Sequence, residues 1–214
     1  MKFFNLLDAC RHHEVKNFIF ASSSSVYGVN EKVPFSENDA LTRTISPYAA
    51  TKLAGEQICS NYAHLFGIRC MCLRFFTVYG PRQRPDLAIS KFTKRILAGE
   101  TIQQYGDGST ARDYTYIDDI ISGVLAAIDY HGSPFEVFNL GGSATTSLSD
   151  LINLVQEACG KKAQIEIAPD QPGDVPRTYA DVSKAHKLLG YAPQTPIAEG
   201  IKKYVEWFQG THTS

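Results

Sequence analysis

Two short apolar runs, separated by one long helical pattern, constrain the fold of this chain more than any other feature. The runs cover residues 17–23 and 68–76, and each has the length and apolar content of a buried strand. Between them, residues 47–66 keep apolar side chains at helical spacing, with Ser46 placed as N-cap and Gly67 as terminator. A strand, a helix and a strand in this order predict a parallel α/β sheet.

The rest of the chain continues the mixture of helices and strands with a looser pattern. Ser147, followed three residues later by Asp150, is placed to begin a helix. The last residues, 210–214, are expected to be frayed. The pattern predicts further helices over 3–13, 86–99, 117–131, 148–159, 182–189 and 197–208, and strands over 101–105, 136–140 and 164–167.

Charge and composition exclude several classes of protein. Lys and Arg number 21 against 22 Asp and Glu, so the net charge of −1 argues against a nucleic-acid partner or an anionic membrane surface. No apolar run approaches the roughly 18 residues of a membrane span, and the first residues do not resemble a secretory signal, so a cytoplasmic protein is expected. The five scattered cysteines are interpreted as reduced core residues, and no metal site is expected.

The pattern most suggestive of chemistry is Tyr48-Ala-Ala-Thr-Lys52 in the predicted helix 47–66. Residues four apart share a helix face, and a nearby ammonium stabilises a phenolate, which favours proton transfer by Tyr48. Ser23 ends the first predicted strand, at the edge of a parallel sheet where ligands bind. The alternative is a surface lysine beside a half-buried tyrosine, with the serines of the loop bonding their own backbone.

Five motifs together resemble one family over essentially the whole chain. They are SSSSVYG, SPYAATK, LRFFTVYGPRQRPD, GDGSTARDYTYIDD and PGDVPRTYAD. In this order they resemble the extended short-chain dehydrogenase/reductases, and within them the NAD-dependent nucleotide-sugar epimerases and dehydratases. The resemblance implies the C-terminal part of a Rossmann-like parallel sheet plus a small α/β substrate-binding domain. Residues 1–80 would form the partial dinucleotide-binding domain with the catalytic residues, and residues 81–209 mainly the nucleotide-sugar-binding region, with some segments returning to the sheet.

The resemblance also assigns expected roles to single residues. Tyr48 matches the family's catalytic base, Lys52 the lysine that supports this base, and Ser23 the hydroxyl that assists at the sugar. Tyr48 and Lys52 would also contact the NAD cofactor. Arg112 matches the arginine on the diphosphate of the sugar nucleotide, and Asp174 the carboxylate on the uridine ribose. Without the family, Arg112 is equally consistent with a surface ion pair and Asp174 with a turn.

Departures within the motifs favour one branch and one reaction. FFTVYGP followed by RPD is similar to the UDP-glucuronate 4-epimerase branch, which implies that Thr77 and Arg84 face the sugar and that Arg84 pairs with its carboxylate. Arg82 is the weaker alternative, and either arginine could be a solvated loop cation. Dehydratases and decarboxylases carry acids where this chain has Ser24 and Ser25, so these serines are expected to bind substrate and the reaction to be epimerisation.

The activity implied by the resemblance is NAD-dependent 4-epimerisation of a UDP-sugar, with UDP-glucuronate favoured, by transient oxidation at C4. Two alternatives stay open. One is a UDP-glucose or UDP-N-acetylglucosamine 4-epimerase; the other is a truncated, non-catalytic fragment that binds a UDP-sugar or forms an oligomer. The family also implies a homodimer.

The glycine-rich turn with which the family begins is not found in this sequence. At about 30 residues per βαβ unit, roughly a hundred residues would precede the first recognisable helix. The sequence therefore leads to the expectation that this polypeptide alone binds NAD poorly and turns over little substrate.

Overall fold

The computed structural model describes residues 2–169 and 175–212 of the 214-residue chain. Its first part contains the elements that position the predicted site. They are α1 (Lys2–His12), β1 (Asn17–Ser23), a 3₁₀ turn (Ser24–Tyr27), α2 (Pro47–Phe66), β2 (Arg69–Phe75) and β3 (Thr77–Tyr79).

The second part alternates short strands with helices. Its elements are α3 (Ala88–Ala98), β4 (Thr101–Tyr105), β5 (Ala111–Arg112), β6 (Tyr114–Tyr116), α4 (Ile117–Ile128), β7 (Phe135–Leu140), β8 (Thr146–Ser147), α5 (Leu148–Cys159), β9 (Gln164–Ala168), α6 (Ser183–Leu189) and α7 (Ile197–His212).

A three-stranded parallel sheet with the order β1-β2-β7 is the centre of the fold. Ser23, the last residue of β1, is in register with Phe75 of β2, so both strands end at the same edge. The described residues also form three two-stranded sheets: β3 with β6 and β4 with β9 are parallel, and β5 with β8 is antiparallel. The predicted α/β fold with a parallel sheet is confirmed.

Helices cover both faces of the central sheet because the side chains of its middle strand alternate. Cys70 and Cys72 of β2 pack with residues of α1 and α2, whereas Met71 and Leu73 pack with residues of α4 and α6. All five cysteines, which lie within the described residues, are free thiols. A separate apolar core joins α3, β4, α5 and α7 in the second part of the chain.

The helix α2 lies unusually close to β1. A Cβ added at Gly55 would stand 2.3 Å from the Phe20 ring, so only glycine permits this approach. The helix begins as predicted, with the hydroxyl of Ser46 accepting a 3.1 Å hydrogen bond from the amide of Ala49. The same kind of cap begins α5, where Ser147 accepts from the amide of Asp150.

The predicted helices and longer strands are confirmed, with ends displaced by no more than a few residues. The expectation that residues 210–214 fray is wrong for residues 210–212, since α7 continues to His212, and residues 213–214 lie outside the described part of the chain. The reason is local: the hydroxyl of Thr211 donates a 2.9 Å hydrogen bond to the carbonyl of Trp207, and Trp207 and Phe208 pack against Tyr204. No helix in the described part of the chain is long and apolar enough to cross a membrane. The boundary at residue 80 stays a prediction.

Candidate active site

Tyr48 and Lys52 lie together on the first turns of α2. The Nζ of Lys52 is 5.4 Å from the centroid of the Tyr48 ring and donates a 2.9 Å hydrogen bond to the carbonyl of Ala21 in β1. The Tyr48 side chain is open to solvent, with 54% of the residue exposed. The lysine therefore sits between the tyrosine and the last residues of β1, as the spacing predicts.

Ser23 connects the end of β1 to the 3₁₀ turn. Its hydroxyl accepts a 3.2 Å hydrogen bond from the amide of Ser25 and donates a 3.1 Å bond to the Ser25 hydroxyl. The residue is largely buried. The turn therefore bonds its own polar groups, and the Ser23 hydroxyl is bonded to Ser25 rather than to Tyr48.

Behind this edge lies a cleft of about 410 Å³, which we call the turn cleft. Four of the predicted substrate residues contribute to its wall: Ser24, Ser25, Thr77 and Arg112. The remaining lining residues are Gly28, Phe35, Ile45, Ser46, Val175 and Thr178. Most polar groups in this cleft are hydroxyls.

A second cleft of about 360 Å³, the helix cleft, opens between α3, β4 and the start of α5. Its wall combines apolar and aromatic side chains with cations and one acid. The lining residues are Asp86, Ala88, Lys91, Phe92, Arg95, Ile102, Gln103, Tyr105, Thr110, Arg112, Tyr114 and Leu148. Arg112 belongs to both linings and so lies between the two clefts.

Arg112 is held by the short strand β5, which pairs with β8 at Thr146. Its side chain is half-buried, and its Nη1 donates a 2.9 Å hydrogen bond to the carbonyl of Ala111. A guanidinium presents several donors in one plane and therefore suits an anion with several oxygens.

The next residue, Asp113, is fully buried and fastens three segments around the turn cleft. It accepts hydrogen bonds from the amide of Gly142 at 2.6 Å, from the amide of Ala180 at 3.0 Å and from the hydroxyl of Thr115 at 3.2 Å. Burial raises the pKa of Asp113 above its ordinary value. Sequence reasoning missed this residue, although its position directly after Arg112 in the motif GSTARDY was a usable signal.

The other predicted substrate residues have different surroundings. Thr77 lines the turn cleft, and its amide donates a 3.0 Å hydrogen bond to the carbonyl of Asp113. Arg84 is exposed, its Nη2 lies 3.3 Å from Asp86, and it is absent from the described linings of both clefts. Asp174 lies outside the described residues.

The parallel sheet, the hydroxyl-rich turn at its edge and the Tyr-Lys pair on the following helix define an α/β protein of the short-chain dehydrogenase/reductase class. The chain belongs to the NAD dependent epimerase/dehydratase family, whose sequence profile matches residues 2–141. NAD is the cofactor of this family.

Individual relatives agree with this assignment. UDP-glucuronate 4-epimerase 4 of Arabidopsis thaliana is 45% identical in an alignment of 223 positions that covers 96% of this chain and 51% of the plant protein. The solved UDP-glucuronic acid 4-epimerase of Bacillus cereus, in complex with UDP-glucuronic acid and NAD, is 39% identical with a TM-score of 0.91 and covers 98% of this chain. The UDP-glucose 4-epimerase of Thermotoga maritima, solved with UDP-glucose, is 35% identical with a TM-score of 0.91 and the same coverage. This chain spans 67% and 68% of those two solved chains.

Proposed function

We propose that this chain carries the catalytic and substrate-binding residues of an NAD-dependent UDP-sugar 4-epimerase, with UDP-glucuronate as the favoured substrate. The observation that carries the proposal is the position of Arg112 between two clefts of different chemistry. A nucleotide sugar has the same order of parts: a flat nucleoside, a diphosphate and a polyhydroxylated ring.

Each cleft matches one part of this ligand. In the helix cleft, the apolar walls of Phe92 and Ile102 suit the faces of a nucleoside. Arg112 would bind the diphosphate, because charge-assisted bonds from a guanidinium to phosphate oxygens are short and strong. The hydroxyls of Ser24 and Ser25 in the turn cleft would bond the sugar. We also propose Asp174 as the ligand of the uridine ribose.

Tyr48 is the proposed catalytic base for the C4 hydroxyl. The ammonium of Lys52 would stabilise the phenolate across the gap that separates it from the Tyr48 ring. Ser23 would assist by exchanging its bond to the Ser25 hydroxyl for one to the sugar. Holding the substrate mainly by its UDP part would leave the sugar free to turn between the two halves of the reaction.

The described residues fit the nicotinamide end of NAD. The Tyr48 side chain is open to solvent, so its hydroxyl is accessible to a ligand. Tyr48 and Lys52 would hold the nicotinamide ribose through their polar ends. When bound, NAD supplies reversible hydride acceptance at C4 of the sugar.

The choice of sugar depends on Arg84. A guanidinium there would pair with the C6 carboxylate of UDP-glucuronate, which UDP-glucose and UDP-N-acetylglucosamine lack. The surface pair with Asp86 is weak enough to be exchanged for a substrate carboxylate, because exposed ion pairs contribute little. The names of the Arabidopsis and Bacillus relatives support glucuronate, whereas that of the Thermotoga relative supports glucose as the alternative.

We further propose a homodimer formed through α1 and α2. Phe4 of α1 and Leu65 and Phe66 of α2 are exposed, and a second copy would bury them. The five free thiols favour the reducing cytoplasm as the compartment of the protein. Light scattering after size exclusion tests the dimer, which would be contradicted by a monomer that persists at high protein concentration.

The experiment that tests the reaction is a proton NMR assay of UDP-glucuronate with NAD and the protein. We expect inversion at C4 to be slow, because this polypeptide alone is expected to bind NAD poorly, and we expect Tyr48→Phe to reduce that rate about 10²- to 10⁴-fold while UDP binding is kept. Tyr130→Phe, a change remote from both clefts, is the matched control and should convert substrate normally. Unchanged turnover in Tyr48→Phe would contradict the assignment. Binding of the UDP-sugar without conversion by the wild-type protein would support the non-catalytic alternative instead.

A further inference from the structure

A buried ion pair lies directly beneath the candidate active site. Arg74 of β2 and Glu56 of α2 are 4% and 2% exposed. The guanidinium donates from Nε to Oε1 of Glu56 at 2.9 Å and from Nη2 to Oε2 at 2.8 Å. Burying two charges costs several kcal/mol of desolvation, which apolar side chains of similar volume would not incur. Packing alone therefore gives no reason for this pair.

On one side, hydrogen bonds connect this ion pair to the 3₁₀ turn that carries Ser24 and Ser25. The third nitrogen of Arg74, Nη1, donates a 3.0 Å hydrogen bond to the hydroxyl of Tyr27, the last residue of the turn. Tyr27 donates in turn to Oδ1 of Asn139 at 2.7 Å. Burial raises the pKa of Tyr27 to about 12, so its hydroxyl keeps the proton that it donates. The turn is thus bonded to both β2 and β7.

On the other side, the ion pair connects the strand end to the helix of the Tyr-Lys pair. The hydroxyl of Ser22 donates a 2.5 Å hydrogen bond to Oε1 of Glu56, and Ser22 is in register with Arg74. Glu56 follows Lys52 by four residues and Tyr48 by eight, so the three share one face of α2. One carboxylate therefore fastens the helix to the strand residue that precedes Ser23.

We propose that Glu56, Arg74 and Tyr27 are positioning residues that set the distance between the serine turn and the Tyr48-Lys52 face of α2. None of the three lines either cleft, so they act through Ser24 and Ser25 on one side and through α2 on the other. The inference rests on the proposed function, because it assumes that the sugar binds against the turn. It adds a cause for the geometry: the guanidinium of Arg74 and the carboxylate of Glu56 link β1, β2 and α2 directly, and Tyr27 extends the link to β7.

The test separates the binding affinity for the sugar from the binding affinity for the nucleotide. Calorimetry gives the Kd for UDP and the Kd for UDP-glucuronate. The ratio of the Kd for UDP to the Kd for UDP-glucuronate measures the affinity that the sugar adds. We expect Tyr27→Phe to reduce this ratio roughly five- to tenfold, as loss of a directed hydrogen bond implies, while the Kd for UDP is unchanged. Tyr191→Phe is the control, since Tyr191 is equally buried and donates a 2.9 Å bond to the carbonyl of Gly141 outside both clefts. It should lose similar stability and keep the ratio.

A second variant keeps the test decisive if Tyr27→Phe does not fold. Ser22→Ala removes only the bond to Glu56 and should reduce the ratio in the same direction. A ratio that both variants leave at the wild-type value would overturn the positioning role and leave the proposed function standing. A wild-type protein that binds UDP and UDP-glucuronate equally tightly would also overturn it, because the turn would then add nothing. Failure of the wild-type protein to bind either ligand would overturn the proposed function, and this inference with it.

Discussion

The ammonium of Lys52 is bonded to the carbonyl of Ala21 and lies 5.4 Å from the centroid of the Tyr48 ring. One side chain thus connects the helix that carries the proposed base to the strand that carries the serine turn. Because the bond is to the backbone, the position of the charge depends on the fold and not on a bound ligand. The Tyr-Lys pair is therefore in place before substrate arrives.

Replacing Arg112 tests whether the diphosphate binds at the residue that lines both clefts. We expect Arg112→Met to weaken UDP binding about 10- to 100-fold, the effect of losing charge-assisted bonds to a diphosphate. Calorimetry with UDP measures this effect. Arg11→Met, which removes an exposed cation of α1, is the control and should bind UDP normally. Equal affinity in both variants would mean that the diphosphate does not bind at Arg112.

Arg84 tests the identity of the sugar. We expect Arg84→Ala to weaken UDP-glucuronate binding about tenfold and to leave UDP-glucose binding unchanged, because only the former has a carboxylate for the guanidinium. Its stability should change little, since the pair with Asp86 is exposed. Competition binding with the two sugar nucleotides measures the preference. An equal effect on both would favour a sugar without a carboxylate.

The ion pair between Glu56 and Arg74 predicts a large effect on stability. Glu56→Ala leaves a buried guanidinium without its partner, and we expect the free energy of unfolding to fall by about 3–5 kcal/mol. Urea denaturation measures this loss. Glu199→Ala breaks the exposed pair with Lys203 and should cost less than about 1 kcal/mol. Similar losses in the two variants would show that removal of Glu56 does not leave the Arg74 guanidinium buried without a partner.

Because the carboxyl of Asp113 is buried and titratable, we expect the free energy of unfolding to depend on pH. Both of its oxygens accept from backbone amides, so Asp113→Asn must turn an NH₂ group towards one donor, and we expect a loss of about 1–3 kcal/mol at neutral pH.

The sign of the pH effect follows from the direction of the pKa shift. Burial raises the folded-state pKa of Asp113 above the ordinary value of 3.8, so its protonation stabilises the fold at low pH. This contribution falls as the pH rises through the folded-state pKa, and the asparagine variant lacks it. In urea denaturation at increasing pH, the free energy of unfolding of the wild type should therefore approach that of the variant as the pH rises above about 4. A difference in the free energy of unfolding that widens as the pH rises would contradict the raised pKa of Asp113.

The parts of the fold that sequence could predict are those with strong local signals. The N-cap at Ser46 and the buried strand within residues 68–76 depend on neighbours in the sequence, and both are confirmed. Strands of two or three residues, such as β5 and β8, have no periodicity to detect, and they exist because Arg112 and Thr146 pair across the chain. The 3₁₀ turn likewise depends on the bond between Ser23 and Ser25.

The candidate site also contains some residues that a local sequence signal predicts and others that depend on distant partners. The spacing of Tyr48 and Lys52 is local and predicts that they share a helix face, which the structure confirms. The role of Asp113 depends on Gly142 and Ala180, which are distant in the sequence, and it was missed. The ion pair was missed for the same reason, because Glu56 and Arg74 lie on different elements. A charged residue in a predicted helix or strand is usually solvated, and only the folded chain distinguishes a buried one.

A crystal structure of the protein with UDP-glucuronate would test the proposed binding mode at the level of single atoms. We expect the diphosphate on Arg112, the sugar ring in the turn cleft beside Ser24 and Ser25, and the C4 hydroxyl within about 3.2 Å of the Tyr48 hydroxyl oxygen, as a general base requires. A sugar ring bound outside the turn cleft, with its C4 hydroxyl out of reach of Tyr48, would contradict this binding mode.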